Sequence, residues 1–557
     1  MFPFGSKPPK RLSMALALLC VVNLPLHAND STRSGNSNAP VTDTSSARLL
    51  AQASFGATLT DIERVKSLGI QGWIDNQLSL KGESHLKQLQ DSNANGSNSA
   101  DRVHLWWLEA IDAPDQLRGR VAFALSEIFV VSDVQQTLGH AQMGLANYYD
   151  ILKVHAFGNF RDLLTDITLS PVMGVYLSMM QNAKANPATN TRADENFARE
   201  LMQLFTIGLH ELNLDGTLKL NNGKPINTYT QDDIKEYARA LTGWGYGNTD
   251  RWDAHPASQY ANFLVPMAPF SDYHDTGEKR LLGGITLPAG QPAIDDLHQV
   301  LDSLFLHPNV GPFISKQLIQ RLVTSNPSAD YVARVASKFN NNGQGIRGDM
   351  GAVVRAILLD EEARSGHLRI PNFGKIREPV LRLSHLWRAF NAQFAEGSKT
   401  YTANPQLNGL DIEFGQTILG SPSVFNFFLP SYAPSGPIKE TGLVSPEAEL
   451  YTENYVLTAN TFLNTYIQKF HVAEQGNLGV QFETHIDITP QVNLAKNPEA
   501  LLKELNLTLL SNQMSAEMHQ LLSEHLNALP NSPKGHIQRV LDAISLIMAS
   551  PSYLVQK

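Results

Sequence analysis

The chain has 557 residues, a formal net charge of −9 and a single cysteine. One cysteine excludes an intramolecular disulfide framework, so burial of a core must supply the stability of the fold. The acidic balance disfavours nucleic acid and anionic membranes as partners, because both attract basic patches.

Residues 1–28 have the three-part pattern of a secretory signal peptide. A basic start is followed by an apolar run from Leu12 to Val22 and by the small residue Ala28. Residues 29–46 are rich in Ser, Thr, Asn and Gly, which predicts a flexible tether. No later apolar run reaches the 18 residues typical of a transmembrane anchor. We therefore expect an exported protein, either periplasmic or extracellular.

Helical periodicity recurs along most of the remaining chain. It predicts a mainly α fold, a large multi-helix assembly with long irregular loops and one small β-hairpin. Because the chain exceeds the size that one core normally serves, we expect either two closely packed lobes or one large helical assembly. A helical domain is predicted over residues 47–395. Residues 396–557 are predicted to form a loop-rich and helical region packed on it. In that region the aromatic run from Phe425 to Tyr432 is interpreted as a core plug, with a glycan or polymer platform as the alternative.

The densest polar pattern lies between Asp194 and Tyr246. At 100° per residue, apolar side chains occupy one arc of a helix, whereas Glu195 and Glu200 lie on the other arc, with His210 if the helix continues that far. Two carboxylates and an imidazole on one face suit acid/base chemistry, so these three are the candidate catalytic residues. The alternative is a solvated face, since Glu195 and Arg199 form an ordinary i,i+4 pair.

Two elements are predicted directly after this helix. Turn signals at Asp215-Gly216 and Asn222-Gly223 surround a short apolar stretch and predict the β-hairpin within residues 215–228. Thr230 then occupies an N-cap position with Asp233 three residues later, which predicts the start of a second helix.

Residues 245–297 are interrupted by proline and glycine and are predicted to form the irregular rim of a pocket. His274 and Asp275 lie within this stretch. Imidazole and carboxylate groups together suit zinc, iron or manganese, so this pair is the candidate metal site. The alternative is a structural turn, in which Asp275 accepts backbone N–H bonds ahead of Gly277.

Several common enzyme classes lack their motifs in this chain. It contains no Gly-rich Lys loop for phosphates, no dinucleotide fingerprint, no His-Glu-x-x-His pair, no cysteine cluster and no nucleophile elbow. These absences disfavour nucleotide enzymes, dehydrogenases, the commonest zinc sites and serine hydrolases. No cofactor-binding residue is therefore predicted, apart from ligands for a divalent metal.

Six ordered blocks carry a resemblance: HAFGNFRDLL (155–164), ENFARELMQLFTIGL (195–209), YTQDDIKEYARALTGW (229–244), HDTGEK (274–279), HPNVGPFISKQLIQRLV (307–323) and IMASPSYLVQ (547–556). From about Ala47 to the C-terminus, the chain resembles the bacterial family catalogued as domain of unknown function 1800. The resemblance implies an exported, largely helical protein of uncharacterised activity and identifies no catalytic residue. Many similar chains carry His-Asn-His-Phe where this chain has Leu125 to Phe129, so both histidines are absent here.

Two functional hypotheses remain at this point. The resemblance implies a co-encoded exported protein similar to the alkaline phosphatase superfamily, and the first hypothesis is an envelope or secreted binding and assembly factor that acts with it. The second is a metal-assisted hydrolase, in which Glu195, Glu200 and His210 converge with His274 and Asp275. The divalent metal would then activate a water molecule.

Overall fold

Helices dominate the structure, a computed structural model that describes residues 41–92, 99–393, 413–473 and 484–557. The predicted mainly α class is confirmed, because the described strands are only two residues long each. The predicted signal peptide lies outside the described residues. Within the described ranges, no helix combines the length and the apolar character needed to cross a membrane.

The helices follow one another along the chain in three runs. The first run is α1 (Asp43–Ala53), α2 (Leu59–Ser79), α3 (His85–Asp91), α4 (Ser99–Asp112), α5 (Gln116–Ser126), α6 (Gln136–Gly139), α7 (Gln142–His155), α8 (Phe160–Leu169) and α9 (Pro171–Tyr176). The second run is α10 (Asn196–Gln203), α11 (Gln231–Ala240), α12 (Ala293–Phe305), α13 (Val310–Leu322), α14 (Ala329–Asn340), α15 (Met350–Leu359), α16 (Glu361–Arg369) and α17 (Pro379–Ala389). The third run is α18 (Pro437–Glu440), α19 (Glu453–Lys469), α20 (Thr489–Leu494), α21 (Pro498–Leu510), α22 (Ala516–Ala528), α23 (Pro533–Met548) and α24 (Pro551–Leu554).

The strands form two-stranded pairs. The antiparallel pairs are β1 (Leu220–Asn221) with β2 (Lys224–Pro225), β3 (Trp244–Gly245) with β4 (Ala268–Pro269), β5 (Lys279–Arg280) with β6 (Thr286–Leu287), and β7 (Lys375–Ile376) with β10 (Val555–Gln556). One pair is parallel, β8 (His471–Val472) with β9 (Ile486–Asp487). These pairs fasten loops to the helices and form no larger sheet among the described residues.

Helix α1 begins at Asp43, earlier than the predicted end of the tether at residue 46. The reason is a capping box at its start. The Thr42 side chain accepts a bond from the Ser45 backbone N–H at 3.1 Å, and the Ser45 hydroxyl accepts one from the Thr42 N–H at 2.9 Å. Two small polar residues that look like linker composition therefore fix the first helical turn.

The predicted β-hairpin is confirmed within residues 215–228. Leu220 pairs with Pro225 and Asn221 pairs with Lys224. The turn between them is Asn222-Gly223, with φ values of 51° and 75°. Positive φ at both central residues is what a tight hairpin turn of this kind requires, and Asn-Gly is its preferred sequence.

Helix α11 starts at the predicted N-cap. Thr230 and Asp233 exchange side-chain and backbone bonds in a second capping box. The helix is followed by Gly243 at φ +83°, where a Cβ atom would lie 2.8 Å from the backbone nitrogen of His274. Only glycine allows this close approach, which seats the His274 segment against the end of α11.

One continuous core joins helices from all three runs. Trp107 of α4 meets Trp387 of α17 edge to face, with ring centroids 4.9 Å apart, and Trp387 in turn packs on Tyr466 of α19. The described residues from Val41 to Lys557 accordingly form one compact unit. The predicted regions 47–395 and 396–557 therefore share their core.

The two ends of the described chain also meet. Strand β10 pairs with β7, and the buried Arg48 of α1 donates to the carbonyl of Lys557 at 3.1 Å. Arg48 also donates to the carbonyl of Arg364 in α16 at 2.6 Å. The buried Arg48 guanidinium therefore ties three distant segments of the chain together.

Candidate functional site

An apolar cleft of about 700 Å³ is the candidate functional site. Three parts of the chain form its main walls: the end of α10 with the hairpin segment that follows, helix α13, and the loop before α18. Glu127 and Ile128 after α5 and Val444 after α18 complete the lining. Twelve apolar side chains line it: Ile128, Leu204, Leu209, Leu212, Leu218, Phe313, Val424, Phe425, Phe428, Leu429, Pro430 and Val444. None of the lining residues comes from the segment 245–297, which the sequence predicted as the rim of a pocket.

The first wall depends on the turn that ends α10. Gly208 has φ +69°, and a Cβ atom there would lie 2.8 Å from the Phe313 ring of α13. Asn309, just before α13, holds the segment after the turn. Its Nδ2 donates to the carbonyls of Ile207 and His210 at 2.9 and 2.8 Å, and its Oδ1 accepts from the Leu212 N–H at 2.9 Å. One asparagine thus fixes the hairpin segment against the helix that forms the second wall.

The third wall is the aromatic loop. Phe428 is buried, whereas the Phe425 side chain is 45% exposed and faces the cleft. The Gln320 side chain of α13 donates to the Pro430 carbonyl at 3.1 Å, which holds the loop on α13. The interpretation of this run as a core plug therefore fits Phe428, and Phe425 instead supplies an open apolar surface.

At its inner end the cleft touches a buried charge cluster of three cations and three carboxyl groups. Its members are Arg120, Glu127, Arg321, Lys375, Glu378 and Glu447, each at most 6% exposed. Glu127 and Arg321 belong both to this cluster and to the cleft wall. Charged side chains are seldom buried without partners, so the contacts inside the cluster decide its stability.

Lys375 and Gln416 connect the carboxyl groups of the cluster. The Lys375 ammonium lies 3.3 Å from Glu378 Oε1 and 3.0 Å from Glu447 Oε1. The Gln416 amide donates to Glu378 Oε2 at 2.7 Å and lies 3.5 Å from Glu127 Oε1. Lys375 and Gln416 together therefore link all three carboxyl groups of the cluster into one network.

Glu127 and Glu378 are driven to opposite protonation states. Burial and the neighbouring Glu378 carboxylate raise the pKa of Glu127 well above its ordinary range. Burial opposes ionisation of Glu378 as well, but Lys375 and the bond from Glu127 hold the pKa of Glu378 below its ordinary value. The pair therefore shares one proton, carried by Glu127, which is the arrangement that close carboxyl pairs adopt.

This protonation predicts a pH effect on stability. Because the folded-state pKa of Glu127 is raised, its contribution to the free energy of unfolding is present at low pH and is lost as the pH rises above its ordinary value of 4.5. Glu127→Gln places a neutral amide where the protonated carboxyl group lies, so the free energy of unfolding of this variant should not decline in this way. Relative to the unaltered protein, the variant should become progressively more stable as the pH rises above 4.5. Urea unfolding at several pH values measures the difference.

Glu524→Gln, a substitution of an exposed glutamate on α22, is the matched control. Its free energy of unfolding relative to the unaltered protein should be nearly independent of pH. Parallel pH profiles for Glu127→Gln and the unaltered protein would contradict the shared proton.

The family of the chain follows from a direct comparison. Residues 48–555 match the model of the family described as "Protein of unknown function (DUF1800)". The chain belongs to this family. No curated protein and no solved structure matches the chain.

In this DUF1800 protein, two of the sequence blocks that carried the resemblance build the cleft. The block 195–209 contributes Leu204 and Gly208, and the block 307–323 contributes Phe313 and Arg321. The stretch that departs from the His-Asn-His-Phe tetrapeptide of many similar chains contributes Glu127.

The structure separates the three candidate catalytic residues. Helix α10 ends at Gln203, so His210 does not extend the helical face of Glu195 and Glu200. Glu195 pairs with Arg199 at 3.0 Å and accepts from Gln231 at 2.6 Å. This is the helix-supporting pair that the solvated-face interpretation describes.

Glu200 and His210 have different surroundings. Glu200 is buried, its Oε2 has no hydrogen-bond partner within the described chain, and burial raises its pKa. The negative charge of Glu200 adds to burial in raising the pKa of the adjacent Tyr229 to about 12. Of the three candidates, His210 lines the cleft, and its Nδ1 has no partner there among the residues that the structure covers.

The candidate metal ligands His274 and Asp275 face different partners. Both ring nitrogens of the buried His274 face acceptors, the Thr242 carbonyl at 2.9 Å and Asp296 Oδ2 at 3.1 Å. Arg239 donates two bonds to Asp275, at 2.9 and 3.1 Å. The pair therefore does not present its ligand atoms to one common point.

Asp275 also accepts the Gly277 N–H at 2.9 Å, which is the contact expected of the alternative turn role. Burial alone would raise the pKa of Asp275, but the bonds from Arg239 and Gly277 hold it below its ordinary value. Across the ranges that the structure covers, no group of three or more His, Cys, Asp or Glu side chains is placed to hold a metal ion.

Sequence reasoning missed the residues of the charge cluster. Glu378 follows Arg377 directly, and adjacent residues on a helix do not face one another, so each is expected to pair with another element and neither is assigned a catalytic role. The available signal was position: Arg321 is followed directly by the apolar Leu322 and Val323, and Glu127 follows the apolar end of α5. A charge within an apolar helix face is a candidate for a buried, paired group.

Proposed function

We propose that this protein is a binding factor that takes an apolar group of its ligand into the cleft. The observation that carries the proposal is the cleft itself, with its volume of about 700 Å³ and its twelve apolar lining residues. Ligand pockets commonly measure about 300 to 1,000 Å³ and combine apolar walls with a few polar groups. Gln203, His210 and Gln317 supply such polar groups here.

Exposed apolar side chains at the cleft support this proposal. Leu209 is 51% exposed, Leu218 45% and Leu429 39%, and all three line the cleft. Exposed apolar side chains that lie together in one patch commonly mark a binding surface.

The proposal keeps the wider role expected from the sequence, an exported envelope or secreted binding and assembly factor. Its partner would be the co-encoded protein similar to the alkaline phosphatase superfamily. The contacts of His274 and Asp275 give no support to the alternative of a metal-assisted hydrolase, because hydrogen bonds to protein groups already engage both side chains.

Leu209→Asp tests the cleft. An ionised carboxylate on the apolar wall should weaken binding of the neutral fluorescent probe N-phenyl-1-naphthylamine by at least about tenfold, since burying an unpaired charge is costly. Because Leu209 is half exposed in the free protein, the fold should tolerate the change. Fluorescence titration measures the affinity.

Leu306→Asp provides the matched control. Leu306 follows α12, is 65% exposed and does not line the cleft. Its probe affinity should equal that of the unaltered protein. No probe binding by the unaltered protein, or equal loss in both variants, would contradict the proposed function.

A further inference from the structure

A second, more polar pocket of about 380 Å³ adjoins the cleft. Lys316 and Val444 line both spaces and form the boundary between them. The other residues that line the second pocket are Ser325, Asn326, Pro327, Ser328, Ile370, Asn372, Gly442 and Leu443. The two spaces therefore present an apolar surface on one side of Lys316 and hydroxyl and amide groups on the other.

Val444 is held in place at this boundary by Asn326. The Asn326 amide donates to the Val444 carbonyl at 2.8 Å and accepts from the Val444 N–H at 2.9 Å. This reciprocal pair attaches the loop after α18 to the segment after α13. The boundary is thus a built feature of the fold, supported by side-chain bonds from Asn326 to both backbone groups of Val444.

Lys316 is the accessible cation at the boundary. Its aliphatic chain passes over Gly216, with Cδ 3.7 Å from where a Cβ atom would lie. Lys316 is exposed where it lines the two spaces. Partial burial of its side chain lowers the pKa of its ammonium group. Among the described residues no carboxylate forms an ion pair with Lys316, which leaves its ammonium group open to an anion.

The carboxyl groups close to these spaces are already engaged. Among the described residues that line the cleft, Glu127 is the one that carries a carboxyl group, and it is buried against Glu378. Next to the second pocket, Glu362 accepts bonds from the backbone N–H and the hydroxyl of Ser328. A cation beside an apolar cavity, with the neighbouring carboxyl groups occupied, is complementary to a ligand that is both apolar and anionic.

We infer that the cleft binds a single-chain amphiphile with an anionic head group. Its hydrocarbon chain would lie in the cleft and its head group against the Lys316 ammonium, with any further polar group in the second pocket. This inference rests on the proposed function and specifies the class of ligand. Long cationic side chains generally lay their methylenes along apolar surface and place the charge at its edge, which is the role assigned to Lys316 here.

Three probes of the unaltered protein test the inference. Decanoate has both a hydrocarbon chain and an anionic group. Decanol has the chain without the anion, and acetate has the anion without a long chain. In displacement of N-phenyl-1-naphthylamine, decanoate should compete at least about tenfold better than decanol, because hydrogen bonds to charged groups are the stronger kind. Acetate should not compete. Equal competition by decanoate and decanol would overturn the inference.

Lys316→Met keeps the aliphatic length and removes the charge. The ratio of the decanoate affinity to the decanol affinity, which does not depend on how tightly the probe itself binds, should fall to about one. Lys338→Met, a substitution of an exposed lysine on α14 that lines neither space, should keep the full advantage. An unchanged preference in Lys316→Met would contradict the assignment of the head group to this lysine. Absence of probe binding to the unaltered protein would instead remove the proposed function, and this inference with it.

Discussion

Lys375→Met is expected to lower the free energy of unfolding by about 3 to 5 kcal/mol, the usual cost of removing one partner from a buried ion pair. The Lys375 ammonium serves two buried carboxylates, Glu378 and Glu447, and also donates to the Arg321 carbonyl at 2.7 Å. Methionine preserves most of the side-chain volume. The decrease in the free energy of unfolding therefore measures the contribution of the Lys375 charge and its hydrogen bonds. Urea unfolding at neutral pH measures it.

Two further variants make this result specific. Lys338→Met, on the exposed face of α14, should change the free energy of unfolding by no more than about 0.5 kcal/mol. Adding Glu447→Gln to Lys375→Met should recover part of the loss, because the amide removes one of the two carboxyl groups that lose their ammonium donor. A cost below about 1 kcal/mol for Lys375→Met would show that Lys375 does not hold the cluster together.

Trp387→Ala is expected to destabilise the fold by about 3 to 5 kcal/mol, as large-to-small changes of buried aromatic residues do. The Trp387 ring is fully buried and lies 4.9 Å from Trp107 and 5.9 Å from Tyr466, between ring centroids. It therefore joins α4 of the first run to α19 of the third. Thermal unfolding should shift to lower temperature as one transition, whether followed by fluorescence or by circular dichroism.

Leu457→Ala is the control for the third run. Leu457 lies on α19 and is 69% exposed, so its removal should cost no more than about 0.5 kcal/mol. Two separate transitions in Trp387→Ala, with only one of them shifted, would mean that the helices after residue 396 unfold independently of the rest.

Much of the local structure could be predicted because its causes lie within a few residues. Thr230 and Asp233 are three positions apart and cap α11 as expected. The Asn222-Gly223 turn closes the predicted hairpin, since positive φ is a property of those two residues. Helical periodicity likewise depends on neighbouring turns, so the mainly α class follows from it.

The candidate site is a different case. Glu195 and Glu200 look alike in sequence, yet one lies in a surface pair and the other is buried. His210 was expected on their helix, but Gly208 turns the chain, and His210 lines the cleft instead. The exposure of a polar side chain depends on what packs over it, and periodicity carries no information about that neighbour.

The sequence by itself determined the helical class, the caps, the hairpin and the family to which the chain belongs. Only the tertiary structure decided that Glu127, Arg321 and Glu378 are buried together and that Lys316 stands between an apolar and a polar space. Caps and periodicity arise from bonds between near neighbours in the chain. A buried charge cluster or a cleft arises where distant helices pack, and that packing is specified by the whole core.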